Sequence, residues 1–241
     1  MAKGLAEVEE EVKEKEWPTA VLRPPIYYPE SDGEPMAETD THRKQMVYLI
    51  EALDDYFRDD QVYVAGNLFL YYEEGDIHQV VAPDVFVVKG VPKGDRRTYK
   101  LWEEDDKGPQ VVFEVTSRRT RKEDLGPKKG TYEMLGVREY FLFDPLGEYL
   151  EPPLVGYWLE EGGYRREAGE RLVSEVLGLE LRVEGGRLWL YDPETGEKLL
   201  SPLEAQSARR AEAAARREAE EELARLRAEM ARQRDSGETE P

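Results

Sequence analysis

Two acids interrupt runs that otherwise read as buried strands. Asp84 lies in VAPDVFVV, residues 81–88, and Glu114 lies in QVVFEVTS, residues 110–117. A carboxylate among β-branched and aromatic neighbours is costly to desolvate unless a cation, a metal or backbone donors pair with it. Taken singly, each has a plain structural reading. Asp84 can be a strand-entry acid bonded to backbone amides, and Glu114 can be half of an ion pair with Lys128 or Lys129. Taken together, on two strands able to neighbour one another, they suggest a shared ligand, because like charges repel unless a cation sits between them. Alternation puts Val112, Glu114 and Thr116 on one face, and Val111, Phe113 and Val115 on the other. The chain has no cysteine and two histidines. Oxygen ligands alone favour Mg²⁺ or Mn²⁺ over zinc.

A basic segment follows the second acid at once. Residues 117–129, SRRTRKEDLGPKK, hold Arg118, Arg119, Arg121, Lys122, Lys128 and Lys129. Positive charge beside paired carboxylates is what a phosphodiester substrate needs. Lys128 precedes Tyr132 by four residues, and Asp124 precedes Lys128 by four, so each pair can share a helix face. The plainer alternatives are a solvated loop and an exposed helical lysine. His42 reads as a helix-start residue, since one histidine without partners makes no metal site.

The flanking elements must bring these groups together. In TDTHRKQMVYLIEALDDYFRDD, residues 39–60, Thr39, Asp40 or Thr41 can cap a helix. Its apolar face is Met46, Leu49, Ile50, Leu53 and Phe57. QVYVAGNLFLYY, VVAPDVFVV, QVVFEVTS and EYFLFDP read as four strands. DLGPKKGTYEMLG lies between the last two and reads as a helix, with Pro127 in its first turn and Gly136 at C′. This order predicts an α/β domain with a mixed sheet flanked by helices. Tyr48, Leu49, Leu53, Tyr140 and Phe141 are expected core. Beyond Pro145, apolar–polar alternation around Gly-Gly turns predicts antiparallel hairpins appended to the sheet.

The ends differ from this middle. Residues 1–26 are expected to be a flexible N-terminal arm, 27–200 the folded domain, and 201–241 a charged C-terminal helix. Leu223, Leu226 and Met230 are too few for a sustained coiled coil, so the helix reads as solvated or as a short dimerising element. The net charge is −19, and residues 17–200 hold 23 basic against 37 acidic side chains. That balance argues against indiscriminate nucleic-acid binding, so any polyanion site must be a local basic patch. No apolar run reaches the roughly 18 residues of a membrane span, and the N-terminus has no apolar signal region. A cytoplasmic protein is expected.

Four motifs in order carry a resemblance. Pro83-Asp84 is followed by Glu114-Val115-Thr116-Ser117, then by Asp124, Lys128 and Tyr132. Gly136-Val137, Glu139-Tyr140 and Asp144-Pro145 come last. Over roughly residues 27–200 the sequence resembles the Uma-two family, within the PD-(D/E)XK nuclease superfamily. The resemblance implies a restriction-endonuclease-like fold in which Asp84 and Glu114 hold Mg²⁺ (or Mn²⁺) and Lys128 is the basic catalytic member. The superfamily's usual lysine stands two residues after the glutamate. Here that position is Thr116, so Lys128 replaces it from the next helix, with Lys129 as the fallback. Glu38 or Glu51 would be the acids able to complete such a site from the first helix. Ser117, Arg118, Arg119 and Arg121 would hold the DNA backbone.

The expectation is therefore a Mg²⁺-dependent endonuclease acting on DNA, forming a homodimer. A second reading keeps the fold without the catalysis, as a module that binds nucleic acid or protein and dimerises through its C-terminal helix. A third has the acidic surface or a sheet edge dock a basic partner.

Overall fold

A helix faces one side of a six-stranded sheet, and a broken helical crossover covers the other. The computed structural model describes residues 26–31 and 39–237, with side chains to residue 230. The arm expected over residues 1–26 lies outside the described residues except for Ile26, and Glu38 lies outside them too.

Helix α1 spans Asp40–Tyr56, and Thr39 is its N-cap, its hydroxyl accepting from the His42 amide at 3.2 Å. Such a cap satisfies one of the orphan amides of the first turn. Strands β1 (Val62–Ala65), β4 (Val85–Lys89), β6 (Val111–Val115), β7 (Glu139–Phe143), β8 (Leu154–Glu160) and β9 (Gly163–Gly169) form the sheet in the order β1-β4-β6-β7-β8-β9. Only the β6–β7 pair is parallel. A parallel pair needs a crossover. Here it is α2 (Arg121–Leu125) and α3 (Pro127–Met134), broken at Gly126. The sequence expectation of one helix thus becomes two, and Pro127 opens the second as expected. Gly136 follows α3 with φ 73°, the left-handed residue that ends a helix.

Two expected strands are each cut in half. QVYVAGNLFLYY gives β1 and then β2 (Leu70–Tyr71), and VVAPDVFVV gives β3 (Val80–Val81) and then β4. Strands β2 and β3 leave the main sheet and join β5 (Tyr99–Lys100) in a small sheet of order β3-β2-β5. Gly66 and Pro83 mark the two cuts. The Asn67 amide donates to the Pro83 carbonyl at 2.9 Å. A Cβ on Gly66 would collide with the carbonyl oxygen of Asp84, so only glycine lets this turn lie against the start of β4.

The appended hairpins divide as well. Strands β8 and β9 extend the main sheet, while β10 (Arg171–Ser174), β11 (Leu179–Glu184) and β12 (Arg187–Tyr191) form a sheet of their own. Helix α1 packs between that sheet and the main one. Met46, Leu49 and Leu53 meet Val85, Val87 and Phe113 on one side and Leu181, Leu188 and Leu190 on the other. Gln45 exchanges hydrogen bonds of 2.8 and 3.1 Å with the Leu188 backbone, and the Leu190 amide donates to the Tyr48 hydroxyl at 3.0 Å. These bonds fix α1 in register with β12, and with it the height of His42 at the helix start. On the opposite sheet face Tyr132, Val137 and Tyr140 pack with Phe86, Val112 and Leu142.

Helix α4 spans Pro202–Gly237. Leu223, Leu226 and Met230 on it are exposed. Among the described residues, no helix is long and apolar enough to cross a membrane.

Candidate active site

The two acids face each other across β4 and β6. The register Val85↔Phe113 continues to Asp84 opposite Glu114. Asp84 sits one residue before β4, in the break that Pro83 makes. Its Oδ2 accepts from the Val115 amide at 2.8 Å and lies 3.2 Å from His42 Nε2. The carboxylate therefore extends the ladder where the backbone of residue 84 turns away, which is the strand-entry role that the sequence allows.

Glu114 is buried, with 1% of its surface exposed. Its Oε2 accepts from Lys128 Nζ at 2.9 Å, and its Oε1 from the Tyr132 hydroxyl at 2.6 Å. Burial pushes the Glu114 carboxyl up to about 8, with Asp84 and Asp124 adding to the rise and Lys128 and Tyr132 opposing it. For Lys128, burial works against the charged form. Glu114, Asp84 and Asp124 outweigh it and raise the ammonium above its ordinary range.

The first turn of α3 aims Lys128 back at the sheet. Lys129 points elsewhere. Its ammonium lies over the rings of Tyr157 and Tyr164 and 3.6 Å from Glu133. The fallback lysine thus stands apart from the acids, and Lys128 alone of the two reaches Glu114.

Thr116, two residues after Glu114, is engaged beside Lys128. Its hydroxyl donates to Asp124 Oδ2 at 2.6 Å and shares a hydrogen bond with the Tyr149 hydroxyl. Asp124 is buried, and its Oδ1 lies 3.7 Å from Lys128 Nζ. Burial raises its carboxyl, with Lys128, Thr116 and Thr120 opposing. The Tyr140 hydroxyl donates to the Asp124 carbonyl at 3.0 Å.

A cleft of about 520 Å³ opens beside these groups, lined by His42, Asp84, Thr116, Ser117, Arg118, Arg119 and Asp144 among others. Of the three central residues only Asp84 lines it. Ser117, Arg118 and Arg119 reach the cleft as the basic motif suggests. Arg121, at the start of α2, is exposed and is not part of the lining. The Arg118 amide donates to Glu148 Oε2 at 2.9 Å, which braces the basic turn against the loop after β7. Glu51 lines a separate groove with Asp54 and Lys93.

Four residues beyond the sequence candidates belong to this surrounding. His42, read as a helix-start residue, stands against Asp84. Asp124 and Tyr132 hold Lys128 and Glu114, and their four-residue spacings were the signal available for them. Asp144 is buried in the cleft wall, its Oδ2 accepting from the Tyr149 and Leu150 amides at 2.8 and 3.1 Å.

The donor set suits a hard divalent cation in kind, being two carboxylates beside a cleft. It is not spread open for one. Both Glu114 oxygens are engaged, and among the described residues no three His, Cys, Asp or Glu side chains are gathered as a ready cation site.

A family model described as "Uma2: Putative restriction endonuclease" matches residues 16–197. No curated protein matches the chain. Among solved structures, it is similar to one titled as a "putative nuclease belonging to DUF820" from Anabaena variabilis. That similarity has a TM-score of 0.43 and 12% identity, and covers 59% of this chain and 76% of the other.

Proposed function

The chain belongs to the Uma2 family, and from that premise we propose that it is a metal-dependent nuclease hydrolysing DNA phosphodiester bonds at the cleft beside Asp84. One observation carries the reading. At the end of β6, Lys128 Nζ lies 2.9 Å from Glu114, and Asp84, one residue before the neighbouring strand β4, is bonded to Val115.

Asp84 and Glu114 would hold Mg²⁺ or Mn²⁺. When bound, such an ion lowers the pKa of water and neutralises charge on the scissile phosphate. The Val115 amide and His42 fix the direction of the Asp84 carboxylate. Lys128 does not line the cleft, and its ammonium, held by Glu114, would stabilise charge on the phosphate through its field rather than by contact. Ser117, Arg118 and Arg119 hold the backbone without reading bases. The acidic remainder of the chain limits binding to this patch.

The second reading, a binding module without catalysis, is favoured by the engagement of both Glu114 oxygens. Plasmid nicking in Mg²⁺ or Mn²⁺ separates the two, with Asp84→Ala and Lys128→Ala beside the wild type. Nicking lost in both variants supports the nuclease. Nicking unchanged in both sinks it. Absence of nicking in every metal, with DNA still retained, favours the module. Pairing of two chains through α4 belongs to the same proposal, and its exposed Leu223, Leu226 and Met230 support it. Sedimentation of Leu226→Glu as a monomer, against a wild-type dimer, is the expected result.

A further inference from the structure

We propose that Lys128 and the divalent cation compete for Glu114, and that Asp124 is a positioning residue that receives Lys128 when the cation binds. This rests on the metal-dependent reading above.

The starting point is that Glu114 has no oxygen to give. Oε1 accepts from the Tyr132 hydroxyl at 2.6 Å, and Oε2 from Lys128 at 2.9 Å. One donor must leave before a cation can be held. Tyr132 cannot withdraw easily. It is fully buried, and its ring packs on Tyr140 with centroids 5.0 Å apart. Lys128 can, because its side chain is 22% exposed and its stem is flexible.

A displaced ammonium needs another anion, and one is already in place. Asp124 Oδ1 is buried, has no hydrogen-bond partner among the described residues, and lies 3.7 Å from Lys128 Nζ. Its other oxygen is held by Thr116 at 2.6 Å, and its backbone carbonyl by Tyr140 at 3.0 Å. The carboxylate is thus fixed with its vacant oxygen toward the lysine. A shift of about 1 Å by Nζ would complete a charge-assisted hydrogen bond there. The charges agree with this exchange. A bound cation would favour the ionised form of Glu114, and Asp84, Glu114 and Asp124 would then exceed Lys128 by the two charges that a divalent cation supplies. Thr116 then has a reason to replace the usual lysine, since its hydroxyl orients the carboxylate that Lys128 will need.

Mn²⁺ binding to the full chain, read from the free-ion paramagnetic resonance signal, tests the exchange in a double-mutant cycle. Asp124→Asn is expected to weaken Mn²⁺ binding about tenfold while Lys128 is present, and less than about twofold in the Lys128→Met background. Equal losses in both backgrounds would mean that Asp124 acts by its charge alone, which overturns the exchange. If the wild type binds Mn²⁺, Asp84→Asn does not, and the cycle shows no coupling, this inference falls and the metal site stands. If no Mn²⁺ binds to the wild type or to Lys128→Met, both fall. Should Asp124→Asn fail to fold, a crystal structure of the wild type with Mn²⁺ decides instead. Lys128 Nζ is expected within hydrogen-bond distance of Asp124, and its persistence on Glu114 beside a bound ion overturns the proposal.

Discussion

The Asp84 carboxylate accepts a hydrogen bond from the Val115 amide at 2.8 Å, so the acid that precedes β4 is bonded to the strand that carries Glu114. Asp84→Ala removes both a carboxylate of the candidate site and the partner of a backbone donor. A stability loss of about 1–3 kcal/mol is expected in urea unfolding without metal. Asp84→Asn keeps an acceptor and should recover much of it. Equal stability in all three chains would deny the carboxylate its structural role.

The Tyr132 hydroxyl bond to Glu114 is open to a similar test. Tyr132→Phe keeps the buried ring and removes the donor. The expected cost is about 1–3 kcal/mol near neutral pH. Combined with Glu114→Gln, the two losses should be less than additive, because they remove parts of one interaction. Strict additivity would show that the two residues do not act as a unit.

The raised Glu114 carboxyl makes a statement about pH. Its value in the fold, about 8, exceeds the ordinary 4.5, so the fold disfavours the ionised form. Its contribution to stability is therefore fully present below about 4.5 and is lost as pH rises through about 8. In EDTA, wild-type stability should fall across this window, by up to about 1.4 kcal/mol per pH unit. Glu114→Gln should flatten the fall. The raised Asp124 carboxyl acts in the same direction, so some slope should persist. A wild type that gains stability between pH 5 and 8 relative to Glu114→Gln would contradict the burial argument.

Arg118 and Arg119 line the cleft, whereas Arg166 lies on the distant strand β9. For a labelled oligonucleotide, binding of the Arg118→Ala/Arg119→Ala chain should weaken. The slope of log affinity against log salt should fall by about 0.9 for each phosphate that an arginine no longer neutralises. Arg166→Ala should change neither. Equal effects from all three arginines would point to diffuse charge rather than a site.

The sequence shows much of this arrangement because it is written in local patterns. The N-cap, the apolar face of α1, the β-branched runs and the four-residue spacings from Asp124 to Lys128 to Tyr132 each depend on neighbours along the chain. The cuts at Gly66 and Pro83 are harder to see. Two-residue strands such as β2, β3 and β5 have no periodicity, and their pairing is decided by distant segments. The contact of His42 with Asp84 depends on how α1 docks on β12, through Gln45 and Tyr48. The choice of Lys128 over Lys129 depends on the aromatic rings of Tyr157 and Tyr164, which come from the appended strands. Arg121 shares the composition of its basic neighbours, and only the entry into α2 carries it away from the cleft.

Gly66 bears on how tolerant the protein is to change. It has no side chain to bind or catalyse anything, yet any added carbon would meet the backbone of Asp84. In a mutational scan selecting for function, position 66 should therefore be as intolerant as the acids themselves. Its substitutions would displace the Asp84 carboxylate while leaving every ionisable group present. Loss of activity there would be a lesion of placement, repaired by no change of pH or metal concentration.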